Sequence, residues 1–320
     1  MVLVTGGTGF IGSHLVEALC GRGEPVRCLI RGDRKLPAEA ETAHGDLVSG
    51  AGIGAALEGV DTVIHLAGVT KALSRGQYYA GNARGTQTLA DAILKSRRPM
   101  RVVHVSSLAA IGPSLDGAPV SEDAEPHPVT HYGKSKLEGE RIVRSLLPQA
   151  VIVRPAVVYG PRDTDVFQLL KSISQGFAVE IAGGERWAQV IYVKDLVEGL
   201  VAAARSERAR GRAYFLAHSQ AVSWSELRST AARIMGKRPL VLKIPSMAAF
   251  AAGACAEAWS KLTRKPSIIS REKIREALCS AWTCDTRRAT AELGFEARTS
   301  LETGLAATLA WYKEAGWLKY

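Results

Sequence analysis

Cysteines are few in this chain of 320 residues, and they are dispersed. None forms a Cys-x-x-Cys pair, and no histidine lies near enough to complete a zinc set. An odd, scattered set is not the pattern of a disulfide framework or a metal site. We therefore predict free thiols in a reducing cytoplasm and no metal. The cysteines are Cys20, Cys28, Cys255, Cys279 and Cys284.

Long hydrophobic runs are also missing. A membrane-spanning helix needs about 20 consecutive apolar residues, whereas the richest stretch, 247–259, is short and contains Glu257. The first residues, Met-Val-Leu-Val-Thr-Gly-Gly, lack the basic start and long apolar middle of a signal peptide. We therefore expect a cytoplasmic protein.

Acidic residues are in deficit: 31 Asp and Glu stand against 41 Lys and Arg, giving a net charge of +10. Such an excess suits a phosphate-bearing ligand or an acidic membrane surface. Zinc-finger spacing and an aromatic RNA-binding signature are both absent, so no nucleic-acid partner is predicted. The 31 glycines follow no three-residue period, which excludes a collagen-like fibre.

The first half alternates short β-branched runs with helical patterns. Predicted strands cover 1–5, 25–30, 61–66, 101–106 and 150–154, and predicted helices follow the first strand and cover 78–95 and 131–147. Several of these runs are apolar on both faces, as buried parallel strands are. The alternation predicts an α/β fold, a doubly wound parallel Rossmann sheet with right-handed crossovers.

The second half of the sequence is mainly helical in pattern. Helices are predicted there at 163–175, 194–205, 223–235, 247–262, 270–278 and 301–312. A single strand is predicted there, at 213–217. We therefore predict a nucleotide-binding domain over 1–160 and a smaller, mainly helical substrate-binding cap over 161–320. Part of 185–217 is expected to return to the Rossmann sheet.

The sharpest motif is Thr-Gly-Gly-Thr-Gly-Phe-Ile-Gly at residues 5–12, directly after a predicted strand and opening a helix. Glycine at Gly6, Gly9 and Gly12 permits a tight turn, close approach of the backbone to a pyrophosphate, and close packing of helix on strand. The helix N-terminus then offers free N–H groups to the phosphate. A mere glycine turn is the alternative, and the strand–turn–helix context disfavours it.

A second motif pairs Tyr132 with Lys136, which share one helix face. A free phenol has a pKa of about 10, and a nearby ammonium lowers it. This pair alone is common on helix surfaces. However, Ser106 and Ser107 end a predicted strand upstream, where strand ends of a parallel sheet line the ligand crevice. A serine there can hydrogen-bond a substrate carbonyl.

Together these motifs resemble the extended short-chain dehydrogenases/reductases of the NAD-dependent epimerase/dehydratase type. The likeness spans nearly the whole chain, and it is specific over the first 200 residues. Further matching segments are Gly45-Asp46-Leu47, Leu66-Ala67-Gly68, Asn82 with Gly85-Thr86, the loop 154–161, and 192–196.

The resemblance implies a mechanism and a set of site residues. Ser107, Tyr132 and Lys136 would be catalytic: hydride would pass between nicotinamide and a substrate carbon while Tyr132 and Ser107 hold the carbonyl oxygen. A homodimer is also expected. The implied cofactor-binding residues are Gly6, Gly9, Phe10, Ile11, Gly12, Arg31, Asp46, Leu47, Leu66, Ala67, Gly68, Tyr132, Lys136, Pro155 and Val158.

Two departures from the family pattern bear on the substrate. Val157 stands where many sugar-nucleotide enzymes of the family carry asparagine, and Ala188 stands where many carry a diphosphate-binding arginine. The pattern is closest to the 3β-hydroxysteroid dehydrogenase and dihydroflavonol reductase branch. We predict interconversion of a ketone and a secondary alcohol on an apolar or weakly charged small molecule. A nucleotide-sugar epimerase or dehydratase, with Arg186 holding the diphosphate, is the alternative; a non-catalytic nucleotide sensor is a third.

The end of the second predicted strand indicates NADP rather than NAD. An NAD site places an acidic residue there, but this chain has Ile30 followed by Arg31, Arg34 and Lys35. A guanidinium suits the 2′-phosphate of NADP. Asp33, which lies late in the turn after this strand, is an acidic residue and favours NAD instead.

An apolar helical stripe over 247–262 is best interpreted as core or subunit interface. The basic residues after it keep peripheral docking on a membrane open. Among the histidines, His127 and His131 are expected to flank the substrate pocket, and His65 and His104 to be hydrogen-bonded within the core. The basic residues are Lys261, Arg264, Lys265, Arg271, Lys273 and Arg275.

Overall fold

The computed structural model of the chain describes residues 1–33, 36–263 and 270–320. Its strands are β1 (Val2–Thr5), β2 (Val26–Ile30), β3 (Glu41–His44), β4 (Thr62–His65), β5 (Arg101–Val105), β6 (Val151–Pro155), β7 (Val157–Tyr159), β8 (Phe177–Ile181), β9 (Trp187–Tyr192), β10 (Ala213–Leu216), β11 (Ala221–Ser223), β12 (Leu240–Ile244) and β13 (Ala281–Trp282).

The helices are α1 (Phe10–Cys20), α2 (Ile53–Ala56), α3 (Arg75–Tyr79), α4 (Gly85–Ser96), α5 (His131–Leu146), α6 (Val166–Ser174), α7 (Val193–Arg205), α8 (Trp224–Ile234), α9 (Ser246–Thr263), α10 (Arg271–Leu278), α11 (Arg287–Leu293) and α12 (Leu301–Glu314). A π-helical turn, Ala80–Arg84, joins α3 to α4, and a 3₁₀ turn, Leu108–Ala110, follows β5.

Within the described residues, seven parallel strands form the central sheet, in the order β10-β6-β5-β4-β1-β2-β3. Side chains of β1, β5 and β6 are buried on both faces, because helices cover the sheet from both sides. The predicted doubly wound α/β fold is confirmed. All the carboxyl ends of the strands lie at one edge, where such folds bind ligands.

The first-half elements lie where the sequence predicts them, to within a few residues. Two strands were missed, β3 and the short β7; β3 reads Glu-Thr-Ala-His and has no apolar run to mark it. The helix predicted over 78–95 begins earlier and contains the π-helical turn. At that turn, Asn82 Oδ1 accepts a hydrogen bond from the Val69 N–H at 2.7 Å.

The second half contains more strand than predicted. Only 213–217 was expected, and it forms β10 at the sheet edge beside β6. The prediction of one strand was wrong, because β9 forms a second small sheet with β7, β11 and β13, and β8 pairs with β12 as a two-stranded ribbon. As predicted, part of 185–217 returns to the main sheet, and the returning segment is β10. The domain boundary at residue 160 stays a prediction.

Candidate active site

The glycine loop lies between β1 and α1 with no room for side chains. Gly6 has a φ of +74°, and a Cβ there would lie 2.7 Å from the Ala67 backbone nitrogen. A Cβ on Gly12 would lie 2.1 Å from the Gly6 carbonyl oxygen. Helix α1 begins at Phe10 without a side-chain cap, and the first N–H groups of a helix have no partner within the helix. The loop is therefore shaped for close approach of an anionic group.

A buried hydrogen-bond network supports the turn that follows β4. Thr5 Oγ1 is 2.7 Å from His65 Nδ1 and accepts from the Ala67 N–H at 3.2 Å. His65 Nε2 in turn lies 3.0 Å from Thr86 Oγ1. Burial lowers the pKa of His65 to about 3, so the ring is neutral. The network holds Leu66 and Ala67 beside the glycine loop.

Asn82 connects this turn to the helix that carries the tyrosine. Its Nδ2 donates to Ser135 Oγ at 2.9 Å, and the Ser135 hydroxyl donates to the Tyr132 carbonyl at 2.7 Å. Helix α5 approaches closely here, since a Cβ on Gly139 would lie 2.6 Å from the Asn82 carbonyl oxygen. Asn82 therefore sets the position of α5 against the cofactor side of the cleft.

The three residues expected to be catalytic meet at the carboxyl end of β5. Ser107 follows β5, and it is near enough to Tyr132, at the start of α5, for its hydroxyl to lower the pKa of that phenol. Lys136, one turn further on, donates from Nζ to the Val105 carbonyl at 2.7 Å. The same Nζ lies 3.7 Å from where a Cβ on Gly68 would be, so it faces the cofactor turn.

The electrostatics of this trio differ from the sequence expectation. A lysine was expected to lower the pKa of the phenol, but burial raises the pKa of Tyr132 above its ordinary value. The nearby Ser107 hydroxyl and the charge of Lys273 oppose that rise in the pKa of Tyr132 without cancelling it. Burial also lowers the pKa of Lys136 to about 8, against the carboxylate of Glu140. Tyr132 is thus a protonated phenol at neutral pH.

Helix α10 of the second half covers the tyrosine, a placement that the sequence analysis missed. The Glu272 carboxylate accepts from the His131 N–H at 3.1 Å, fixing α10 to the start of α5. Lys273, which pairs with Glu276 at 2.9 Å, acts electrostatically on Tyr132. Burial lowers the pKa of Lys273, but nearby Glu276 and the phenol outweigh it and raise it. No local motif signals this contact, because it depends on long-range packing.

The remaining residues expected to bind cofactor lie along the same sheet edge. Arg31 is exposed directly after β2, whereas Arg34 and Lys35 fall outside the described residues. Asp46 follows β3, and its carboxylate accepts from the Val48 N–H at 2.6 Å. A Cβ on Gly85 would lie 3.3 Å from that of Leu47. The last two of the predicted set are at the far end of the sheet: Pro155 ends β6 and Val158 is in β7.

The side chain of Arg186 hydrogen-bonds backbone carbonyls of the turn in which it lies. Its guanidinium donates to the carbonyls of Ile181 at 2.7 Å, Ala182 at 3.2 Å and Gly184 at 3.3 Å, and the residue is 9% exposed. Ala188 is buried in β9. The guanidinium is therefore a structural group of the β8–β9 turn.

The histidines give mixed outcomes. His65 is hydrogen-bonded as expected, but within the described part of the chain neither ring nitrogen of His104 has a partner. That prediction was wrong for His104, whose ring lies 5.3 Å from the His65 ring between centroids. His131 lies beside Tyr79 and Glu272 near the tyrosine, whereas His127 Nε2 contacts the Pro113 carbonyl at 2.7 Å.

Comparison with known proteins identifies the family. The sequence model described as "NAD dependent epimerase/dehydratase family" matches residues 2–217. A ceramide reductase of Caulobacter vibrioides is 33% identical, covering 99% of this chain and 96% of that protein. A 4-hydroxy-2-methyl-3-oxo-4-farnesyl-3,4-dihydroquinoline-1-oxide ketoreductase of Stigmatella aurantiaca is 29% identical, covering 95% and 94%.

Solved structures agree with this assignment. MoeE5 in complex with UDP-glucuronic acid and NAD superposes with a TM-score of 0.81 at 27% identity, covering 98% of this chain and 99% of that one. The resemblance inferred from the motifs is thus confirmed. The chain belongs to the NAD dependent epimerase/dehydratase family and is an enzyme of the extended short-chain dehydrogenase/reductase type.

Proposed function

We propose that this enzyme is an NAD(P)-dependent oxidoreductase that interconverts a ketone and a secondary alcohol on an apolar or weakly charged substrate. The observation that carries this proposal is the state of Arg186. Because its guanidinium is satisfied by three backbone carbonyls, it is not free to hold a diphosphate. A diphosphate buried without cationic partners would cost several kcal/mol. The site therefore disfavours a nucleotide-sugar.

The cleft fits a dinucleotide cofactor. The Gly6–Gly12 turn packs too closely on its own backbone to carry side chains, and α1 begins directly after it without a side-chain cap. We assign the pyrophosphate to this turn, and the nicotinamide end to Lys136, Pro155 and Val158. When bound, the cofactor supplies or accepts the hydride. The protein's part is to hold the reacting carbonyl and move one proton.

The proton step is assigned to Tyr132. Because burial keeps its pKa raised, the phenol is protonated at neutral pH and can donate to a carbonyl oxygen as negative charge develops there. Ser107, whose hydroxyl lies near the phenol, would hold the same oxygen. The charge of Lys273 stabilises the phenolate left after donation. This arrangement supports the reducing direction.

The proposed substrate class rests on the relatives. The two curated relatives named above are a ceramide reductase and a farnesyl-quinoline ketoreductase, both named for reduction of a compound with a long apolar chain. An apolar wall contributes about 25 cal/mol per Å² of apolar surface buried. We therefore propose a lipid-like ketone. The cytoplasmic location and the homodimer remain proposals alongside it.

The alternative is a nucleotide-sugar epimerase or dehydratase that uses the same oxidation transiently. It is favoured by the structural likeness to MoeE5, which was solved with UDP-glucuronic acid and NAD. The intact Ser107, Tyr132 and Lys136 arrangement argues against a non-catalytic sensor.

Two measurements test the proposal. A panel of short- and long-chain ketones, followed by absorbance of the reduced nicotinamide, is expected to show reduction that improves with apolar chain length. Calorimetric titration of the cofactor-loaded enzyme with UDP and UDP-glucose is expected to show no micromolar binding. Micromolar affinity for either nucleotide would defeat the proposal and promote the epimerase.

The cofactor choice gives a separate prediction. Arg31 is exposed after β2, where a 2′-phosphate would lie. We expect kcat/KM to be higher with NADPH than with NADH. Arg31→Ser should reduce the NADPH value about tenfold by removing a charge-assisted hydrogen bond, while leaving the NADH value nearly unchanged. A higher value with NADH for the unmodified enzyme would contradict this prediction.

A further inference from the structure

Helix α9 presents an apolar face to solvent. Of its side chains whose burial is described, every exposed one is apolar or a thiol; these are Met247, Cys255, Trp259, Leu262 and four alanines. At 100° per residue they fall within an arc of about 140°. Met247 is 83% exposed, Trp259 67% and Leu262 76%. A helix over a soluble core normally shows the opposite distribution.

The side of α9 that faces the protein is small and polar instead. A Cβ on Gly253 would lie 3.0 Å from the Arg271 nitrogen, so α9 packs closely on the start of α10. Glu257, the acidic residue of α9, accepts from the Arg271 N–H at 2.7 Å. Helix α9 therefore contacts the rest of the protein through its small and polar side. Its apolar face is a separate, exposed surface.

The β8–β12 ribbon, whose second strand directly precedes α9 in the chain, carries another exposed apolar face. In its register Leu240 pairs with Phe177 and Leu242 with Val179, which places the four side chains on one face. All four are exposed. Only Pro245 separates β12 from α9. We call this ribbon face together with the exposed face of α9 the apolar surface.

Cations lie at the edge of the ribbon. A cavity of about 560 Å³ beside β12 is lined by Arg228, Arg233, Lys237 and Arg238. Arg228 and Arg233 are paired with carboxylates, at 3.4 and 2.8 Å. Lys237 and Arg238 make no ion pair with any residue that the structure describes. Apolar side chains beside unpaired cations are the pattern of a surface that lies on anionic lipid.

We propose that the apolar surface docks on an anionic membrane, with Lys237 and Arg238 at the headgroups. Trp259 suits the interface because an indole has an apolar body and a polar N–H. Among the described residues no helix is long and apolar enough to span a bilayer, so this contact is peripheral. Two of the basic residues that follow α9, Arg264 and Lys265, lie outside the described residues.

The surface is one helix away from the catalytic tyrosine, since α9 packs on α10 and α10 is fixed to the start of α5 through Glu272. A lipid-like ketone would therefore enter from the membrane side. This last step rests on the proposed function; the docking itself does not.

Sedimentation with vesicles tests the proposal. We expect the enzyme to bind vesicles of phosphatidylcholine mixed with phosphatidylglycerol, and to bind pure phosphatidylcholine more weakly. Trp259→Glu and Leu242→Glu should each weaken binding at least about tenfold, because a carboxylate replaces buried apolar area. Lys237→Glu with Arg238→Glu should weaken binding to the anionic vesicles about tenfold or more. Leu94→Glu, on α4 and 48% exposed against 43% for Leu242, is the matched control and should bind normally.

Several results would overturn the proposal: no binding to either vesicle, equal binding by the variants, or a dimer in solution that the same substitutions dissociate without any vesicle binding. Reduction of a water-soluble ketone, measured without vesicles, should be equal in all these variants. Failure of every ketone with vesicle binding intact would refute the proposed function and leave the docking standing.

Discussion

Tyr132→Phe should reduce the rate of ketone reduction by a factor of about 10²–10⁴, the usual contribution of a positioned acid. The substitution removes the phenolic hydroxyl and keeps the ring, which contacts Tyr78 at 6.3 Å between centroids. Steady-state rates measured with saturating cofactor check this expectation.

Two controls make this result specific. The variant should bind the cofactor as the unmodified enzyme does, and its thermal unfolding should be little changed. Tyr78→Phe alters a neighbouring phenol on α3 and should leave most of the rate. Turnover by Tyr132→Phe within a few-fold of the unmodified enzyme would refute the assigned role.

Arg154→Met should destabilise the fold by about 3–5 kcal/mol, because it leaves a buried carboxylate without its partner. Arg154 on β6 and Glu140 on α5 are 3% and 1% exposed, and the guanidinium donates to the carboxylate at 2.7 Å. The guanidinium also donates to the Glu122 carbonyl at 2.8 Å. Chemical unfolding monitored by circular dichroism measures the loss.

The matched control is the surface pair of Arg233 and Glu302, which are 61% and 60% exposed at a comparable 2.8 Å. Arg233→Met should cost about 1 kcal/mol or less, as exposed ion pairs do. The double variant Arg154→Met with Glu140→Leu should recover part of the stability by removing the stranded charge. Equal losses at the buried and exposed pairs would contradict this account.

The first half of the fold was predictable because its signals are local. Strand β2, Val26–Ile30, is a buried apolar run between turns, and the glycines at 6, 9 and 12 follow β1 directly. The pairing of Tyr132 with Lys136 needs only the helical repeat. In each case, a few residues that are neighbours in the sequence are enough to predict the local structure.

The second half depends on contacts that no short segment records. Strand β8 does alternate Phe177, Val179 and Ile181, a period-two signal that could have been found. Its pairing with β12 could not, and that pairing places Phe177 and Val179 on the same exposed face as Leu240 and Leu242. Lys273 reaches Tyr132 only because α10 is fixed to α5 by Glu272. In the sequence, the basic residues of α10 indicated a positively charged segment. They gave no sign that one of them lies close to Tyr132.

The position of β10 at the end of the central sheet has a consequence for synthesis on the ribosome. Strand β6 pairs on one side with β5 and on the other with β10, which is made only when Ala213–Leu216 leave the exit tunnel. Until then a nascent chain exposes β6 as an open strand edge, a template for pairing with another chain. Tyr214 then donates to Glu292 at 2.6 Å, so the closing strand is itself held by residues made later. The central sheet is therefore completed late in the synthesis of the chain.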